Sequence, residues 1–258
     1  MLAFLQRIGG VFLDFLAATG RIAVFGGASL GHAMRPPYYP RLILRQMVDI
    51  GYYSLPVVGL TALFTGMVLA LQTYTGFSRF AAESAIPNVV VLSVTRELGP
   101  VIAGLMVAGR IGAAIAAEIG TMRVTDQIDA LVTLSTNPYK YLVAPRLVAG
   151  LAMLPLLVVV ADVIGVFGGY IVSTYKLDFN PASYVVRTYD FLRLQDVVAG
   201  LVKAGVFGFL VTLMGCFHGY HSRGGAQGVG SATTHAVVSS SILILLFDYI
   251  LTEAFFSR

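Results

Sequence analysis

Six ionisable residues lie within long apolar stretches of this sequence: Arg96, Glu97, Arg110, Asp162, Lys203 and Asp248. A charged side chain inside a bilayer costs about 2.5 to 3.5 kcal/mol on insertion scales, so each residue needs a partner or a polar cavity. For Arg110 and Asp162, interhelical ion pairs that fix a bundle are as good an interpretation as a functional site. For the other four we favour a polar patch facing a central cavity, because neighbouring helical positions point about 100° apart. Such a patch would hold an anionic headgroup or relay a conformational change.

A second group of polar residues interrupts the apolar sequence at residues 118–131, EIGTMRVTDQIDAL, which we call the handle. If the handle is helical from Arg123, one face carries Arg123, Asp126, Gln127 and Ala130. The other face then carries Val124, Ile128, Leu131 and Val132. This pattern predicts a short amphipathic helix on the cytoplasmic membrane surface. We expect it to receive force from another protein.

Motifs for the common cofactor and nucleophile chemistries are missing from the sequence. It contains no GxxxxGK[ST] phosphate loop, HExxH, CxxC or GxSxG, so it shows none of the usual means of hydrolysing ATP, binding zinc or cleaving esters. His218, His221 and His235 cluster without a nearby thiol, and we interpret them as surface or interface residues. We expect no metal site and no cofactor in this chain. Cys216 is predicted to be buried.

Composition places the chain among polytopic membrane proteins. Of its 258 residues 57% are hydrophobic and only 12% are charged, which is far too apolar for an ordinary soluble domain. Twenty-eight glycines in long apolar segments, without alternating stretches near ten residues, favour a helical bundle over a barrel. The net charge of +4 gives no reason to expect a nucleic-acid partner.

The elements that must position these residues follow from apolar length and from breaks. Residues 1–33 are predicted to form an interfacial helix, because Arg7, Asp14 and Arg21 recur every seven positions; a spanning helix with a polar stripe is the alternative. Five spans are predicted at about residues 54–74, 88–117, 147–175, 197–220 and 236–256. A small helix is expected after Asn180-Pro181, and residues 221–234 are predicted to be a glycine-rich loop. Small residues at four-residue spacing, including Gly66 and the Gly165/Gly169 pair, predict close helix contacts.

Charge asymmetry selects the orientation. The side with the amino terminus and the handle carries nine basic residues: Arg7, Arg21, Arg35, Arg41, Arg45, Arg123, Lys140, Arg146 and Arg223. The other side carries five: Arg79, Lys176, Arg187, Arg193 and Arg258. The excess of positive charge predicts a cytoplasmic amino terminus and handle, and a periplasmic carboxy terminus.

Three runs of residues carry a resemblance to a known family: 93–100 (SVTRELGP), 108–112 (AGRIG) and the handle. Together with 137–138 (NP), 141–146 (YLVAPR), the segment around Lys203, 219–220 (GY) and 231–234 (SATT), they closely resemble the MlaE/YrbE permease family. Members are the membrane subunits of ABC-type lipid transporters that work with an MCE-domain protein. The likeness covers nearly the whole chain, and so many ordered motifs make it specific.

The resemblance implies an all-α membrane protein with an amino-terminal interfacial helix, five transmembrane helices and a short cytoplasmic coupling helix. Residues 1–258 would form one permease domain, with interfacial and elbow helices in 1–50 and the five-helix core in 51–258. The permease would be a homodimer in the bacterial inner membrane. ATP and magnesium would be bound by a separate ABC ATPase, and a periplasmic MCE-domain protein would exchange phospholipid with it.

Site residues also follow from the resemblance. The coupling helix would be 121–133, and the residues near the ATPase groove would be Glu118, Met122, Arg123, Asp126, Gln127 and Ala130; many members have glutamate where this chain has Asp126. The lipid pocket at the dimer interface would be lined by Leu71, Gln72, Tyr74, Val94, Arg96, Glu97 and Leu98. The charged positions of the family core would be Arg96, Glu97, Asp196, Lys203 and Asp248.

The sequence thus predicts a permease subunit that moves phospholipid between the inner membrane and a periplasmic MCE-domain protein, which maintains outer-membrane lipid asymmetry. Two other classes of function stay open. Glu97, Lys203 and Asp248 would also suit an ion- or proton-coupled secondary transporter, although we find no internal repeat of the kind common in that class. A membrane-embedded enzyme of lipid metabolism would need a nucleophile or a metal set, which we do not recognise here.

Overall fold

The computed structural model describes residues 2–80 and 83–256, without the side chains of residues 2–8, 11, 12, 15, 80 and 83. Its described part contains helices and no strand. Five helical segments are long and apolar enough to cross a membrane: Pro40–Phe77, Ile86–Val124, Tyr139–Tyr175, Leu194–Tyr220 and Gly225–Phe256. The five predicted spans and the all-α class are therefore confirmed.

The amino-terminal region forms two helices, α1 (Leu2–Ala33) and α2 (Pro40–Ile50), before the first span helix α3 (Leu55–Phe77). Helix α1 is not among the apolar segments that qualify as spans. Of its predicted charged stripe, Asp14 and Arg21 are exposed, while the side chain of Arg7 lies outside the described residues. The ring of Phe25 on α1 packs against Phe217, with ring centroids 5.5 Å apart. Helix α1 is thus attached to the bundle near its carboxy-terminal end.

The second span is built of three helices joined by two π-helical turns. Helix α4 (Ile86–Ser93) leads into the turn Val94–Leu98, then α5 (Gly99–Val107), the turn Ala108–Gly112 and α6 (Ala113–Val124). A third π turn, Tyr139–Val143, precedes the third span helix α8 (Ala144–Tyr175). Single π turns inside helices occur frequently at functional sites. Here the first two coincide with the runs 93–100 and 108–112 on which the family resemblance rests.

Helices α3 and α8 pack together through glycine. A Cβ atom placed on Gly66 would lie 1.8 Å from the carbonyl oxygen of Gly165, and one placed on Gly169 would lie 2.7 Å from a methyl carbon of Val90. No side chain fits at the first distance, so the backbones approach as closely as small residues permit. The predicted small-residue faces of the first and third spans therefore face each other.

The predicted single coupling helix 121–133 is wrong in one respect. Helix α6 ends at Val124, and a separate helix α7 (Gln127–Thr133) begins after Asp126, whose φ of 59° is left-handed. Thr125 and Asp126 have short polar side chains that compete with helical hydrogen bonds, and aspartate tolerates this conformation. The change of direction places Arg123 at the end of the spanning helix instead of on α7.

The faces of α7 agree with the prediction apart from one residue. Ile128 is completely buried, and Leu131 packs partly against the core. Gln127 and Ala130 are exposed, as is Asp126 just before the helix. Val132, predicted to face the bundle, is 56% exposed because the helix starts at Gln127 and turns this position outwards. We call this end of the bundle the handle end.

The glycine-rich segment is mostly helical, contrary to the prediction of a loop over 221–234. Helix α10 (Leu194–Tyr220) and helix α11 (Gly225–Phe256) are separated by four residues only. Gly224 and Gly225, with φ of 87° and 67°, make the reversal. Gly228 is needed for close packing, since a Cβ there would lie 1.7 Å from the carbonyl oxygen of Arg223. Several of the glycines therefore serve a tight turn and its packing, and the helix starts early.

The end of the bundle opposite the handle is covered by the predicted small helix, α9 (Pro181–Phe191). Asn180 caps it by accepting a hydrogen bond from the Ser183 backbone N–H at 3.1 Å. Arg187 on α9 donates to the backbone oxygen of Ser84, 3.0 Å away, in the connection between the first two spans. Tyr184 is buried, and this burial raises the pKa of its phenol. Helix α9 is therefore fixed to the core at this end.

Candidate functional site

The centre of the candidate site is Lys203, whose side chain is completely buried in the middle of the bundle. Its Nζ donates to Glu97 Oε2 at 2.6 Å, to Thr252 Oγ1 at 2.7 Å and to the backbone oxygen of Arg96 at 3.2 Å. An ammonium group has three protons, so these acceptors use all of them. Asp248 Oδ1 lies 2.9 Å from Nζ and interacts by charge. The second, fourth and fifth spans meet at this one cation.

Pro100 explains why a carbonyl oxygen is available to Lys203. A helical residue donates its N–H to the carbonyl oxygen four positions earlier, which for residue 100 is that of Arg96. Proline has no N–H, and the π turn Val94–Leu98 directly precedes Gly99-Pro100. The Arg96 carbonyl therefore loses its helical partner, and Lys203 supplies the missing donor. The local sequence thus helps to place Lys203.

Arg96 belongs to a second ion pair on the same turn. Its guanidinium contacts Asp196 Oδ1 at 2.6 Å through Nη2 and at 2.8 Å through Nε. Asp196 is almost completely buried, and its other oxygen accepts the backbone N–H of Arg193 at 3.2 Å at the start of α10. The Arg96 guanidinium also lies over the Phe256 ring, 4.1 Å from the centroid. One π turn therefore directs Arg96 and Glu97 to separate partners.

The two predicted arrangements of intramembrane charge are exchanged in the structure. Arg96, Glu97, Lys203 and Asp248, expected to form a patch facing a cavity, are joined by interhelical ion pairs. Side chains of Glu97 and Asp248 keep 37% and 20% exposure, so the network has an open edge. The physical reason is that Arg96 and Glu97, although about 100° apart, each find a partner on α10.

Arg110 and Asp162 do not form the alternative ion pair considered for them. Arg110 donates to Ser54 Oγ at 3.1 Å and to the backbone oxygen of Asp49, and so ties the turn Ala108–Gly112 to the end of α2. Asp162 has no salt bridge within the described residues, and its buried Oδ1 accepts no hydrogen bond there. Asp162 contributes to an apolar groove of about 540 Å³ between α8 and α9.

Sequence reasoning missed Thr252 and Phe256. Thr252 accepts from Lys203 and lies 3.2 Å from Glu97 Oε1, while Phe256 supports Arg96. Both follow Asp248 at four-residue spacing on α11, which places all three on one helical face. That periodicity is the signal that would have found them.

The predicted lipid-pocket residues are divided between two places in a single chain. Val94 and Leu98 line one crevice between α3 and α5. Tyr74 packs against Phe179, with ring centroids 6.2 Å apart. Leu71 is partly exposed and Gln72 is exposed near the end of α3. Arg96 and Glu97 lie on the same π turn as Val94 and Leu98, next to the charge network.

The histidines form an aromatic cluster at the handle end. The ring centroids of His218 and His235 are 5.9 Å apart, and His218 Nε2 lies 3.0 Å from Ser239 Oγ. His221 packs against the Phe217 ring, with centroids 4.6 Å apart. Within the described ranges, no group of three or more His, Cys, Asp or Glu is arranged to hold a metal ion. Cys216 is buried, as predicted.

Comparison with known proteins decides the family. Residues 43–254 match the model of the family described as Permease MlaE. This chain belongs to the MlaE permease family. It is 57% identical over 256 residues to a probable ABC transporter permease protein of Rickettsia felis, covering 99% of both chains. It is 36% identical over 255 residues to the intermembrane phospholipid transport system permease protein MlaE of Haemophilus influenzae, covering 98% of this chain and 97% of that one. It is also 34% identical over 235 residues to the chloroplastic protein TRIGALACTOSYLDIACYLGLYCEROL 1 of Arabidopsis thaliana, covering 91% of this chain and 67% of that one.

In this MlaE-family chain the predicted coupling residues lie around the junction of α6 and α7. Arg123 is held by Asp129, with Nη1 2.6 Å from Oδ1, and its guanidinium lies 5.9 Å from the centroid of the Tyr220 ring. Glu118 pairs with the buried Arg146 at 2.7 Å, which joins the second span to the third. Met122 packs partly against the core. The structure therefore gives Glu118, Met122 and Arg123 internal partners.

The remaining coupling residues face outwards. Asp126, Gln127 and Ala130 are exposed on the same end of the bundle. Gln127 Nε2 donates to Thr125 Oγ1 at 3.0 Å, which stiffens the turn between α6 and α7. This MlaE-family permease thus presents a short polar helix that is rigidly joined to a spanning helix.

Proposed function

We propose that this chain is the permease subunit of an ABC-type transporter that moves phospholipid between the inner membrane and a periplasmic MCE-domain partner, and so maintains outer-membrane lipid asymmetry. The observation that carries the proposal is the span Ile86–Val124, with the Glu97–Lys203 pair along its length and α7 directly after its end. The printed name of the Haemophilus relative supports phospholipid as the substrate.

The energy source lies outside the chain in this proposal. A separate ABC ATPase binds ATP and magnesium and docks on α7, and the permease itself hydrolyses nothing. Force on α7 is transmitted through the α6–α7 junction, because Ile128 is buried and Arg123 is held to Asp129. Glu118 and Arg146 then pass the movement to the third span. A chain without a nucleotide site is driven in this way by a partner.

Two copies of the chain form the transport path, and the lipid pocket lies between them. The pocket is lined by Leu71, Gln72, Tyr74, Val94, Arg96, Glu97 and Leu98. Apolar side chains suit the tails, and the partly exposed Glu97 suits a polar headgroup. The excess of basic residues places the handle end and the amino terminus in the cytoplasm, and the carboxy terminus and α9 in the periplasm.

An ion- or proton-coupled transporter is the second candidate, favoured by the buried titratable pair of Glu97 and Lys203 beside Asp248. The two functions differ in their energy source. In proteoliposomes of the assembled complex, the first requires ATP and is insensitive to collapse of ion gradients. Transport that persists without ATP and stops when the gradients collapse would support the second candidate.

Replacing Ala130 with tryptophan is expected to abolish association with the ATPase. Ala130 is exposed on the outer face of α7, so an indole there prevents close approach of a partner without disturbing the core. The measurement is co-purification of the ATPase, encoded beside the permease, with an affinity-tagged permease. The matched control is Ala182→Trp, an exposed alanine on α9 at the other end of the bundle. Normal ATPase recovery with Ala130→Trp would contradict the docking on α7.

Replacing Glu97 with glutamine is expected to lower lipid retention about tenfold while the ATPase stays bound, because a charged hydrogen-bond partner of the headgroup is lost. Lipid is measured by mass spectrometry of the purified complex. Glu253→Gln is the control, since Glu253 is an exposed glutamate on α11. Unchanged lipid content in Glu97→Gln would remove Glu97 from the pocket.

A further inference from the structure

A second polar surface lies beside α7 at the handle end. It is a cleft of about 260 Å³ between the α6–α7 junction and the turn that joins α10 to α11. One wall consists of Arg123, Asp126 and Asp129, and the other of Ser222, Arg223 and Gly224. We call it the turn cleft. None of the residues on the second wall was predicted to have a function.

Three features of the second wall suit an anionic group. Arg223 is exposed and forms no salt bridge within the described part of the chain. Ser222 is only 6% exposed, and its buried Oγ has no hydrogen-bond partner there. Helix α11 begins at Gly225, and Gly224 before it has no side chain to cap the free N–H groups of the first turn. A carboxylate or phosphate would satisfy all three.

The first wall distinguishes between sources of that anion. Arg123 and Asp129 neutralise each other at 2.6 Å, which leaves Asp126 as an exposed negative charge on this side. A membrane surface rich in anionic lipid would be repelled by Asp126. A protein surface can present an acidic group to Arg223 and a basic group to Asp126 together. The exposed face of α7 continues directly from this wall, so the same protein would cover both.

We propose that the turn cleft is a second docking site for the ATPase, in which an acidic side chain of the ATPase is held by Arg223, the Ser222 hydroxyl and the first N–H groups of α11. The inference rests on the proposed function, because it assumes that an ATPase docks on α7. Its consequence is a two-point attachment: the ATPase holds the second span through α7 and the fifth span through the start of α11. Glu97 and its partner Thr252 lie on these same two spans.

The charge of Arg223 provides the first test. Arg223→Glu is expected to weaken binding of the ATPase about tenfold or more, measured by titrating purified ATPase against the permease in nanodiscs. Ser222→Ala is expected to have a smaller effect in the same direction. Arg79→Glu is the control, because Arg79 is an exposed arginine at the opposite end of the bundle. Unchanged affinity of Arg223→Glu overturns the inference.

A crosslink tests the position without altering the cleft. Gln227 is exposed in the first turns of α11, and the native Cys216 is fully buried, so a thiol-specific crosslinker reports on Gln227→Cys alone. We expect a crosslink to the ATPase near an acidic residue, and changing that residue to arginine is expected to restore binding to Arg223→Glu. Absence of the crosslink in a complex that still contains the ATPase overturns the inference.

The outcomes separate this inference from the proposed function. Loss of ATPase with Ala130→Trp but not with Arg223→Glu removes the turn cleft and leaves the docking on α7. Normal binding by both variants contradicts the proposed function itself. If Arg223→Glu loses affinity for vesicles of anionic phospholipid but not for the ATPase, the cleft recognises lipid headgroups and the inference is wrong.

Discussion

Replacing Lys203 with methionine is expected to destabilise the folded permease by about 3 to 5 kcal/mol. The Lys203 side chain is completely buried, and Glu97 and Asp248 both lie within 3 Å of its Nζ. Methionine fills similar space but leaves two carboxylates without a cation in the middle of the bundle. The free energy of unfolding is measured by titrating the purified protein with a denaturing detergent.

Two variants show that charge, and not packing, causes the loss. Lys176→Met changes an exposed lysine at the end of α8 and is expected to leave stability unchanged. The triple variant Lys203→Met with Glu97→Gln and Asp248→Asn removes the whole set of charges, so most of the stability is expected to return. A triple variant as unstable as Lys203→Met would mean that the lysine acts through its packing. Transport is expected to stay low in the triple variant, because the polar edge of the network is altered.

Replacing Gly66 with alanine is expected to cost about 3 kcal/mol and to loosen the first span from the third. The new Cβ would lie 1.8 Å from the Gly165 carbonyl oxygen, so the two backbones must separate. This separation also disturbs the site, because Val94 lies against Gly165. Stability is measured as for Lys203→Met, and lipid retention by mass spectrometry.

The same helix provides the control for this variant. Gly76 is near the end of α3, and a Cβ placed on it meets nothing within 4 Å. Gly76→Ala is therefore expected to leave stability unchanged or to raise it by up to about 1 kcal/mol. Equal stability of Gly66→Ala and Gly76→Ala would contradict the close approach of α3 and α8.

The sequence predicts the spans well because membrane thickness and apolar length determine them. A run of about 20 apolar residues crosses a bilayer wherever it packs. The small helix α9 is equally predictable, since Asn180-Pro181 combines a cap with a residue that favours a first helical turn. Gly66 and Gly165 show that small residues at four-residue spacing also predict which faces meet.

The parts that sequence reasoning got wrong depend on local backbone geometry. The break at Asp126 replaces helical geometry at one residue, and its left-handed φ follows from neighbours more than from helix propensity. The helical start of α11 within the glycine-rich segment depends on packing of Gly228 against Arg223. Glycine usually indicates a loop, but here it makes room for a turn. Single-sequence patterns do not contain these contacts.

The candidate site was predictable in its members but not in its pairing. Glu97, Lys203 and Asp248 were recognisable as charges in apolar segments. Which of them meet depends on the rotation of each span about its axis, and the π turn Val94–Leu98 changes that rotation. Thr252 was not recognised because a threonine in a membrane helix is uncharged and commonly bonds to its own backbone, as it does here to Asp248 O at 2.8 Å.

The π turns make chain length part of the mechanism. Each one takes up about one residue more than the α-helical turn that it replaces. Loss of a single residue from Ala108–Gly112 would let that segment close as an α-helix and would rotate all that follows by about 100°. Glu118 would then point away from Arg146, and α7 would leave the bundle on a different side. The direction in which the handle projects is therefore set by how many residues precede it, as well as by which residues they are.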